Sequence, residues 1–235
     1  MAVAVYLYAR QQINLAGMLS EAAVANVSVP EGFAVAVFAD GLSGPRFMAV
    51  GPDGVLYVAD RGNDRIVALP DTNGDGQADE IRVLADGLNN PHNMMYHKDA
   101  WYVAVTEGVV RLTDKDGDGV AESRTTLIDT YTPPGQHSSR TIAFLPDGRL
   151  LHSAGSTCNV CEEEDPRRAA ITSYNSPVGQ DQLTGEQIYA SGLRNAVGLA
   201  VHPETGQLWV TNNGRDLLGD DLRNGGIETG RGFKF

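Results

Sequence analysis

An internal repeat is the feature of this sequence that most constrains its fold. Four segments share one pattern: a short apolar strand, a turn built around Pro-Asp-Gly or a related sequence, and a second apolar strand. Their first residues are 46, 48 and 57 positions apart. Each segment is typical of a β-hairpin, because short apolar runs joined by a tight turn pair as antiparallel strands. The four predicted hairpins are Phe47–Val58, Asn93–Val103, Thr141–Leu151 and Gly198–Val210.

Further strand-like segments lie between the first three hairpins. Arg65–Leu69 and Glu80–Leu84 follow the first hairpin, and Val109–Leu112 and Thr125–Ile128 follow the second. Four antiparallel strands in roughly 48 residues are typical of a propeller blade. We therefore predict an all-β fold, a β-propeller with about four blades. A β-sandwich is the rival architecture, but it does not explain a recurring Pro-Asp-Gly hairpin.

The repeats divide the chain into three parts. Residues 1–28 are predicted to be a leader or a short helix, residues 29–221 a single propeller domain, and residues 222–235 a divergent tail. The apolar start and the small residues at 23–25 suit an export signal, but a charged first region is missing. A periplasmic or secreted location is the expectation that follows.

The charge balance bears on the partners of the protein. The 235 residues include 18 Lys+Arg and 30 Asp+Glu, which gives a net charge of −12. No basic run occurs, so nucleic acid is an unexpected partner, because phosphate binding needs clustered positive charge. No stretch of 18 apolar residues occurs either, so we expect no membrane-spanning helix.

The two cysteines are close together in a Cys158-Asn-Val-Cys161 sequence. Glu162 follows the second cysteine, which excludes the attachment sequence of c-type haem. A structural zinc site would need further thiolate or imidazole ligands nearby. A local disulfide that closes a loop is the favoured interpretation, and two free thiols are the alternative.

Polar and cationic residues recur shortly before the first strand of each repeat. The loop that enters the innermost strand of each blade lies beside the central channel of a propeller. Arg46, His92 and Arg140 each stand six positions before the proline of a turn or its equivalent, whereas His137 and Arg194 stand nine positions before theirs. We therefore predict that these side chains, with Asn195, cluster at one end of the channel. Ordinary solvated loop residues are the alternative interpretation.

Three short segments carry the chemistry. A neutral His137 could act as a general base near pH 7. Arg194 and Asn195 suit an anionic or carbonyl-rich ligand. Residues 211–216, followed by Asp220 and Asp221, combine Gly-rich backbone with carboxylates, which are oxygen ligands suited to calcium.

The sequence resembles the sorbosone/glucose dehydrogenase family, the soluble quinoprotein sugar dehydrogenases with a six-bladed propeller. The likeness runs from about residue 29 to 221. Three strings carry it: His137 with the following Phe-Leu-Pro-Asp-Gly, Gly192–Gly198, and Asn213–Asp216 with Gly-Asp-Asp at 219–221. The Cys158–Cys161 segment is similar to the sorbosone dehydrogenase branch.

The resemblance implies pyrroloquinoline quinone (PQQ) and Ca²⁺ as cofactors and a sugar or polyol as substrate. It implies that His137 accepts the proton of the substrate hydroxyl while hydride passes to the quinone. Arg194 and Asn195 match a pair that contacts the quinone, with Arg194 counted among the catalytic residues. The carbonyls of Gly214 and Arg215 match backbone ligands of the calcium ion. Three further residues, Arg46, His92 and Arg140, are predicted to bind the cofactor because they are expected at the same end of the channel.

Two features depart from that family. Gln136 precedes the histidine where better-known members have Asp. The recognisable blades also number four, whereas six blades of this length need about 290 residues. We therefore expect a C-terminally truncated member that shows weak or no activity alone and self-associates through its open propeller edges.

Two acidic loops share the pattern D-x-[DN]-G-D-G-x-A-[DE], at residues 71–79 and 114–122. Oxygen donors at positions 1, 3, 5 and 9 resemble a calcium loop, but the bidentate Glu at position 12 is absent. Peripheral calcium sites and plain polar hairpins both remain open.

Two other functions remain open for the whole chain. One is a non-catalytic propeller scaffold that binds a partner, and the other is a metal-dependent lactonase propeller. A lactonase needs acidic and amide ligands at the axis, whereas the predicted channel-end residues are mainly His and Arg.

Overall fold

The computed structural model describes residues 27–129 and 135–216, together with the backbone strand at 230–234. The predicted leader falls mostly outside these residues, and so do Asp220 and Asp221. In the part of the chain that is described, no helix is long and apolar enough to cross a membrane.

In the described residues, fifteen strands form four antiparallel sheets whose strand order follows the chain. The first sheet contains β1 (Pro45–Val50), β2 (Leu56–Asp60), β3 (Arg65–Leu69) and β4 (Arg82–Ala85). The second contains β5 (Asn93–His97), β6 (Ala100–Val105), β7 (Gly108–Thr113) and β8 (Ser123–Ile128). The third contains β9 (Arg140–Phe144), β10 (Leu150–Ala154), β11 (Ala170–Tyr174) and β12 (Gln187–Ser191). The fourth contains β13 (Ala196–Val201), β14 (Leu208–Asn213) and β15 (Gly230–Lys234).

Each sheet is a propeller blade, and the first strands of successive blades contact one another around the axis: β1 with β5, β5 with β9, and β9 with β13. The predicted all-β propeller is confirmed. The predicted inner strands near residues 47, 93, 141 and 198 correspond to β1, β5, β9 and β13.

The hairpin turns show why the repeat folds as it does. Gly54 and Gly148 adopt φ values of 78° and 87°, which side chains disfavour. Asp53 Oδ1 accepts a hydrogen bond from the backbone N–H of Val55, two residues on. Such local side-chain bonds stabilise turns without help from the rest of the fold.

The core consists of apolar layers between the blades. Ile66, Leu84 and Trp101 belong to the layer between the first two blades. Corresponding layers lie between the second and third blades and between the third and fourth. Strand β6 is buried at every position, because it faces a neighbouring blade on both sides.

The segment before β1 covers the outer face of the first blade. Ala39 and Leu42 pack there against Val58, Val67 and Leu69. The inner strand of that blade keeps Met48 and Val50 exposed, at 49% and 64%. Trp209 of the fourth blade is likewise 46% exposed. The two outermost blades among the described residues thus present apolar side chains to solvent.

Candidate functional site at one end of the propeller channel

The antiparallel order fixes which loops meet at the channel. Each inner strand starts, and each second strand ends, at the same end of its blade. The hairpin turns and the two acidic loops lie at the opposite end. Residues just before a first strand and just after a second strand are therefore neighbours in space.

His92 connects three blades through hydrogen bonds. Its Nδ1 lies 2.8 Å from the carbonyl oxygen of Arg140, which can only accept, so Nδ1 carries the proton. Its Nε2 then accepts from Nη2 of Arg46 at 3.2 Å. Arg46, His92 and Arg140 share one phase of the repeat, and the structure brings them together.

The imidazole of His92 is only 1% exposed. Burial lowers its pKa to about 4, and the nearby positive charges of Arg46 and Arg61 act in the same direction. His92 is therefore neutral at physiological pH, and both of its ring nitrogens bond within the protein. Its role in binding the cofactor stays a prediction.

Arg140 is fully buried and shapes the segment that carries His137. Its Nη1 donates to the carbonyl oxygens of His137 and Ser139, at 2.8 and 3.0 Å. These two hydrogen bonds fix the backbone just before β9.

His137 is held in one tautomer by Ser156. The serine hydroxyl donates its proton to the carbonyl oxygen of Cys158 at 2.6 Å. Both Ser156 Oγ and Ser156 O lie 2.9 Å from His137 Nδ1, so both accept from Nδ1–H. The neutral ring then carries its lone pair on Nε2, the nitrogen able to take a proton. Gln136 is exposed and does not supply this contact.

Arg194 is tied to its own surroundings. Its Nε donates to the carbonyl oxygen of Asn159 at 3.1 Å, and its Nη2 pairs with Asp216 Oδ2 at 2.5 Å. Only 12% of the side chain is exposed. The backbone carbonyl of Arg194 accepts from the N–H of Ser156 at 2.7 Å, which places it beside the segment that holds His137.

The side chains of Asn195 and His137 both approach Gly155 closely. A Cβ atom at residue 155 would lie 2.5 Å from His137 Cβ and 2.7 Å from Asn195 Oδ1. Asn195 is 7% exposed, and its Oδ1 has no hydrogen-bond partner among the described residues. A buried acceptor of this kind suits a ligand that supplies a donor or a cation.

Gly214 and Arg215 directly follow β14 at this same end. Gly214 is half-buried and Arg215 is exposed. Nothing fills the space where a Cβ of Gly214 would project. Their proposed role as calcium ligands stays a prediction.

Three residues at this end escaped the sequence analysis. Arg61 lies just after β2, and its Nη2 donates to Ser138 Oγ at 3.4 Å. Ser156 and Asn159 follow β10. All three stand after the second strand of a hairpin, as Gly214 and Arg215 do. That phase of the repeat is the signal that could have identified them.

Cys158 and Cys161 form a disulfide, which confirms the favoured interpretation. It closes the turn that carries Asn159. The Thr157 N–H donates to Glu163 Oε1 at 2.8 Å, which ties the start of the turn to the residues that follow it.

The second acidic loop brings four carboxylates together. Ligand oxygens of Asp114, Asp116, Asp118 and Glu122 lie within 4.8 Å of one another. Several of these oxygens already accept backbone N–H groups within the loop, for example Asp114 Oδ1 from Gly117 at 2.7 Å. Both interpretations of the acidic loops remain open.

A protein-family model described as "Domain of unknown function (DUF7133)" matches residues 20–224, most of the chain. The chain belongs to this family. A curated relative of the DUF7133 chain is an uncharacterized protein from Borreliella burgdorferi, 24% identical in an alignment of 215 residues. The alignment covers 86% of this chain and 53% of that protein.

Two solved structures are similar to the DUF7133 chain. One is a calcium structure of a Trichoderma reesei enzyme of carbohydrate-active family AA12, with a TM-score of 0.70 and 22% identity over 82% of this chain and 51% of the other. The second is the holo form of the pyranose dehydrogenase PQQ domain from Coprinopsis cinerea, with a TM-score of 0.67 and 18% identity over 83% and 49%. These likenesses show the propeller fold. The DUF7133 chain spans about half the length of the proteins that it matches.

Proposed function

We propose that this chain carries part of the site of a quinoprotein-type dehydrogenase, which oxidises a sugar or polyol by hydride transfer to PQQ with the help of Ca²⁺. One observation carries the proposal. Nδ1 of His137 carries the proton and is bonded to Ser156, whereas Nε2 has no hydrogen-bond partner among the described residues, at a channel end bordered by arginine side chains. Two solved neighbours support the proposal, because one is the PQQ domain of a pyranose dehydrogenase and the other is a calcium structure of a carbohydrate-active enzyme.

The residues at the channel end fit the cofactor. PQQ carries carboxylates and carbonyl oxygens, which guanidinium groups bind through charge-assisted hydrogen bonds. Arg46 and Arg61 present such groups, and neutral His92 holds Arg46. The buried Oδ1 of Asn195, which has no hydrogen-bond partner in the described part of the chain, belongs to the same region. Among the carbonyls after β14, those of Gly214 and Arg215 are oxygen ligands of the type calcium prefers.

When bound, PQQ would supply the hydride acceptor, and calcium would polarise its quinone oxygens. The protein's own contribution begins at His137. Its Nε2 would take the proton of the substrate hydroxyl, and the contacts to Ser156 would stabilise the imidazolium that forms, because Nδ1–H then donates more strongly. The ion pair with Asp216 would hold the guanidinium plane of Arg194 in one orientation. The N–H groups of Arg194 that are not bonded within the protein could then donate to the quinone.

A periplasmic or secreted location goes with this function. The Cys158–Cys161 disulfide supports it, because disulfides persist mainly in oxidising compartments. The partners would be a small sugar or polyol and an external electron acceptor.

Titration of the purified protein with PQQ, with and without Ca²⁺, tests the proposal. We expect calcium-dependent quinone binding. Reduction of the bound quinone by sugar, measured by the absorbance of the quinone, should be slow, because this chain carries only part of the site. Protein that binds no quinone but hydrolyses lactones with a divalent metal would be a lactonase. Protein that does neither would be a binding scaffold.

A further inference from the structure

Asn159 contacts two parts of the site that are distant in sequence. Its carbonyl oxygen accepts from Arg194 Nε at 3.1 Å. Its side chain binds the backbone of Asp216 at two points: Oδ1 accepts from the N–H at 3.0 Å, and Nδ2 donates to the carbonyl oxygen at 3.3 Å. One residue thus holds both the arginine and the segment after β14.

The ion pair between Arg194 and Asp216 closes this network. Nη2 of Arg194 lies 2.5 Å from Oδ2 of Asp216. Asp216 is exposed, and 72% of its side chain is open to solvent, so solvent screening leaves the pair alone weakly stabilising. The position of Asp216 therefore depends on the two hydrogen bonds between its backbone and the side chain of Asn159.

The disulfide holds the turn that presents Asn159. Asn159 is one of the two residues between Cys158 and Cys161. The carbonyl of Cys158 also accepts from Ser156, the residue that orients His137. The turn thus connects the proposed base on one side with Arg194 and the 214–216 segment on the other.

We infer that Asn159 is a positioning residue, which fixes Arg194 and the carbonyl-bearing segment at 214–216 in the arrangement needed to receive an anionic quinone and its cation. The identity of that ligand rests on the proposed function; the positioning itself does not. The three hydrogen bonds of Asn159 end on Arg194 and Asp216, and none reaches the apolar layers between the blades. Removing the side chain breaks the two bonds to Asp216 and keeps the backbone bond to Arg194. It should therefore loosen the 214–216 segment and leave the propeller folded.

Amide hydrogen exchange of Asn159→Ala tests the positioning. The Asp216 amide loses its acceptor, so we expect its exchange to accelerate by about two- to tenfold, the factor that one hydrogen bond contributes. Asn175→Ala is the matched control, because Asn175 Nδ2 binds Thr184 Oγ1 at 3.1 Å in a hairpin at the opposite end. The control should leave exchange at Asp216 unchanged. Replacing both cysteines by serine should accelerate exchange at Asp216 in the same direction.

A second readout separates positioning from general structure. The dissociation constant for PQQ with Ca²⁺ should rise about tenfold in Asn159→Ala, because a site that is no longer preorganised binds less tightly. The loss should appear in the affinity for quinone and calcium, because the side chain of Asn159 binds Asp216 at the end of the 214–216 segment.

Unchanged exchange at Asp216 in Asn159→Ala would overturn the inference. So would equal acceleration throughout β13, which would mark a structural role. If the wild-type protein binds no quinone, the proposed function fails, and the exchange experiment still decides the positioning role.

Discussion

The Nδ1–H of His92 donates to the carbonyl oxygen of Arg140 over 2.8 Å, although 48 residues separate the two in the chain. The carbonyl of His92 in turn accepts from the N–H of Phe47 at 3.1 Å. Equivalent positions of three blades are thereby linked around the axis. This polar arrangement at the channel end is a consequence of the repeat, because the first three blades contribute residues 46, 92 and 140 at the same phase.

We expect His92 to make the fold less stable in acid. The unfolded side chain binds a proton below about pH 6.5, whereas the folded one resists until about pH 4. Protonation therefore favours unfolding, and stability should fall as the pH drops from 6.5 to 4, by about 3 kcal/mol in total. Urea unfolding at several pH values measures this slope.

His92→Gln should reduce that slope between pH 6.5 and 4. Part of the slope should remain, because burial also lowers the pKa of His152. His202→Gln, on the turn of the fourth blade, serves as the control and should keep the wild-type slope. An identical slope in wild type and His92→Gln would contradict the prediction.

Asp60→Ala should destabilise the first blade by about 3 kcal/mol. The carboxylate is fully buried and accepts from Ser43 N–H, Asn63 Nδ2 and Arg65 Nε at 2.6 to 2.8 Å. Its removal leaves several donors without an acceptor, including a charged one. Chemical denaturation measures the loss.

The matched control for Asp60 is Asp147→Ala. Asp147 also pairs with an arginine at 2.8 Å, but both side chains are largely exposed. Such pairs contribute less than about 1 kcal/mol. Similar losses in the two variants would show that burial of Asp60 does not decide its contribution.

His137→Ala should slow the reduction of bound quinone by sugar about 10²- to 10⁴-fold, the usual contribution of a general base. Quinone affinity should change little, because the arginine donors remain. Single-turnover absorbance measures the rate, and equilibrium titration measures the affinity. A wild-type rate in His137→Ala would remove His137 from the proposed role.

Gly155→Ala should impair the site while the chain still folds. The new methyl group would overlap His137 Cβ and Asn195 Oδ1, so one of these side chains must shift. We expect quinone affinity to fall about tenfold and stability to fall by about 1–3 kcal/mol, the usual cost of overpacking a buried position. Wild-type affinity in this variant would show that the close approach is unimportant for binding.

Trp209→Ser should weaken self-association. Trp209 is 46% exposed on the fourth blade, and exposed apolar faces favour association between copies. Sedimentation at increasing protein concentration measures the effect. Val178→Ser, which changes a side chain 37% exposed in a loop of the third blade, should leave the association unchanged. Equal behaviour of both variants would exclude the face around Trp209 as the contact.

The sequence predicted the parts of the fold that local chemistry determines. The hairpins were predictable, because turn residues and apolar strands lie next to one another in the chain. Strand β3 falls at Arg65–Leu69 as predicted, and β4 begins two residues later than expected, at Arg82. The outer strands β11 and β12 were not identified, since long irregular loops precede them. Strand β15 pairs with β14 from within the predicted divergent tail.

The site was predictable only where it follows the repeat. Arg46, His92 and Arg140 share a phase, so counting from the turns located them. Arg61 and Asn159 act on partners 77 and 35 residues away, and no local pattern records such contacts. Likewise, one of the two acceptors for His137 Nδ1 is the backbone carbonyl of residue 156, which the type of residue at that position does not reveal.

The alternation of strand direction also determines where a label or a surface can be attached without covering the candidate site. The connection between β3 and β4, at residues 70–81, leaves the blade at the end away from His137 and Arg194. A dye, an affinity tag or a surface linker attached there would point away from the channel mouth. Molecules anchored through that loop to an electrode or a bead would all present the same open mouth to the surrounding solution.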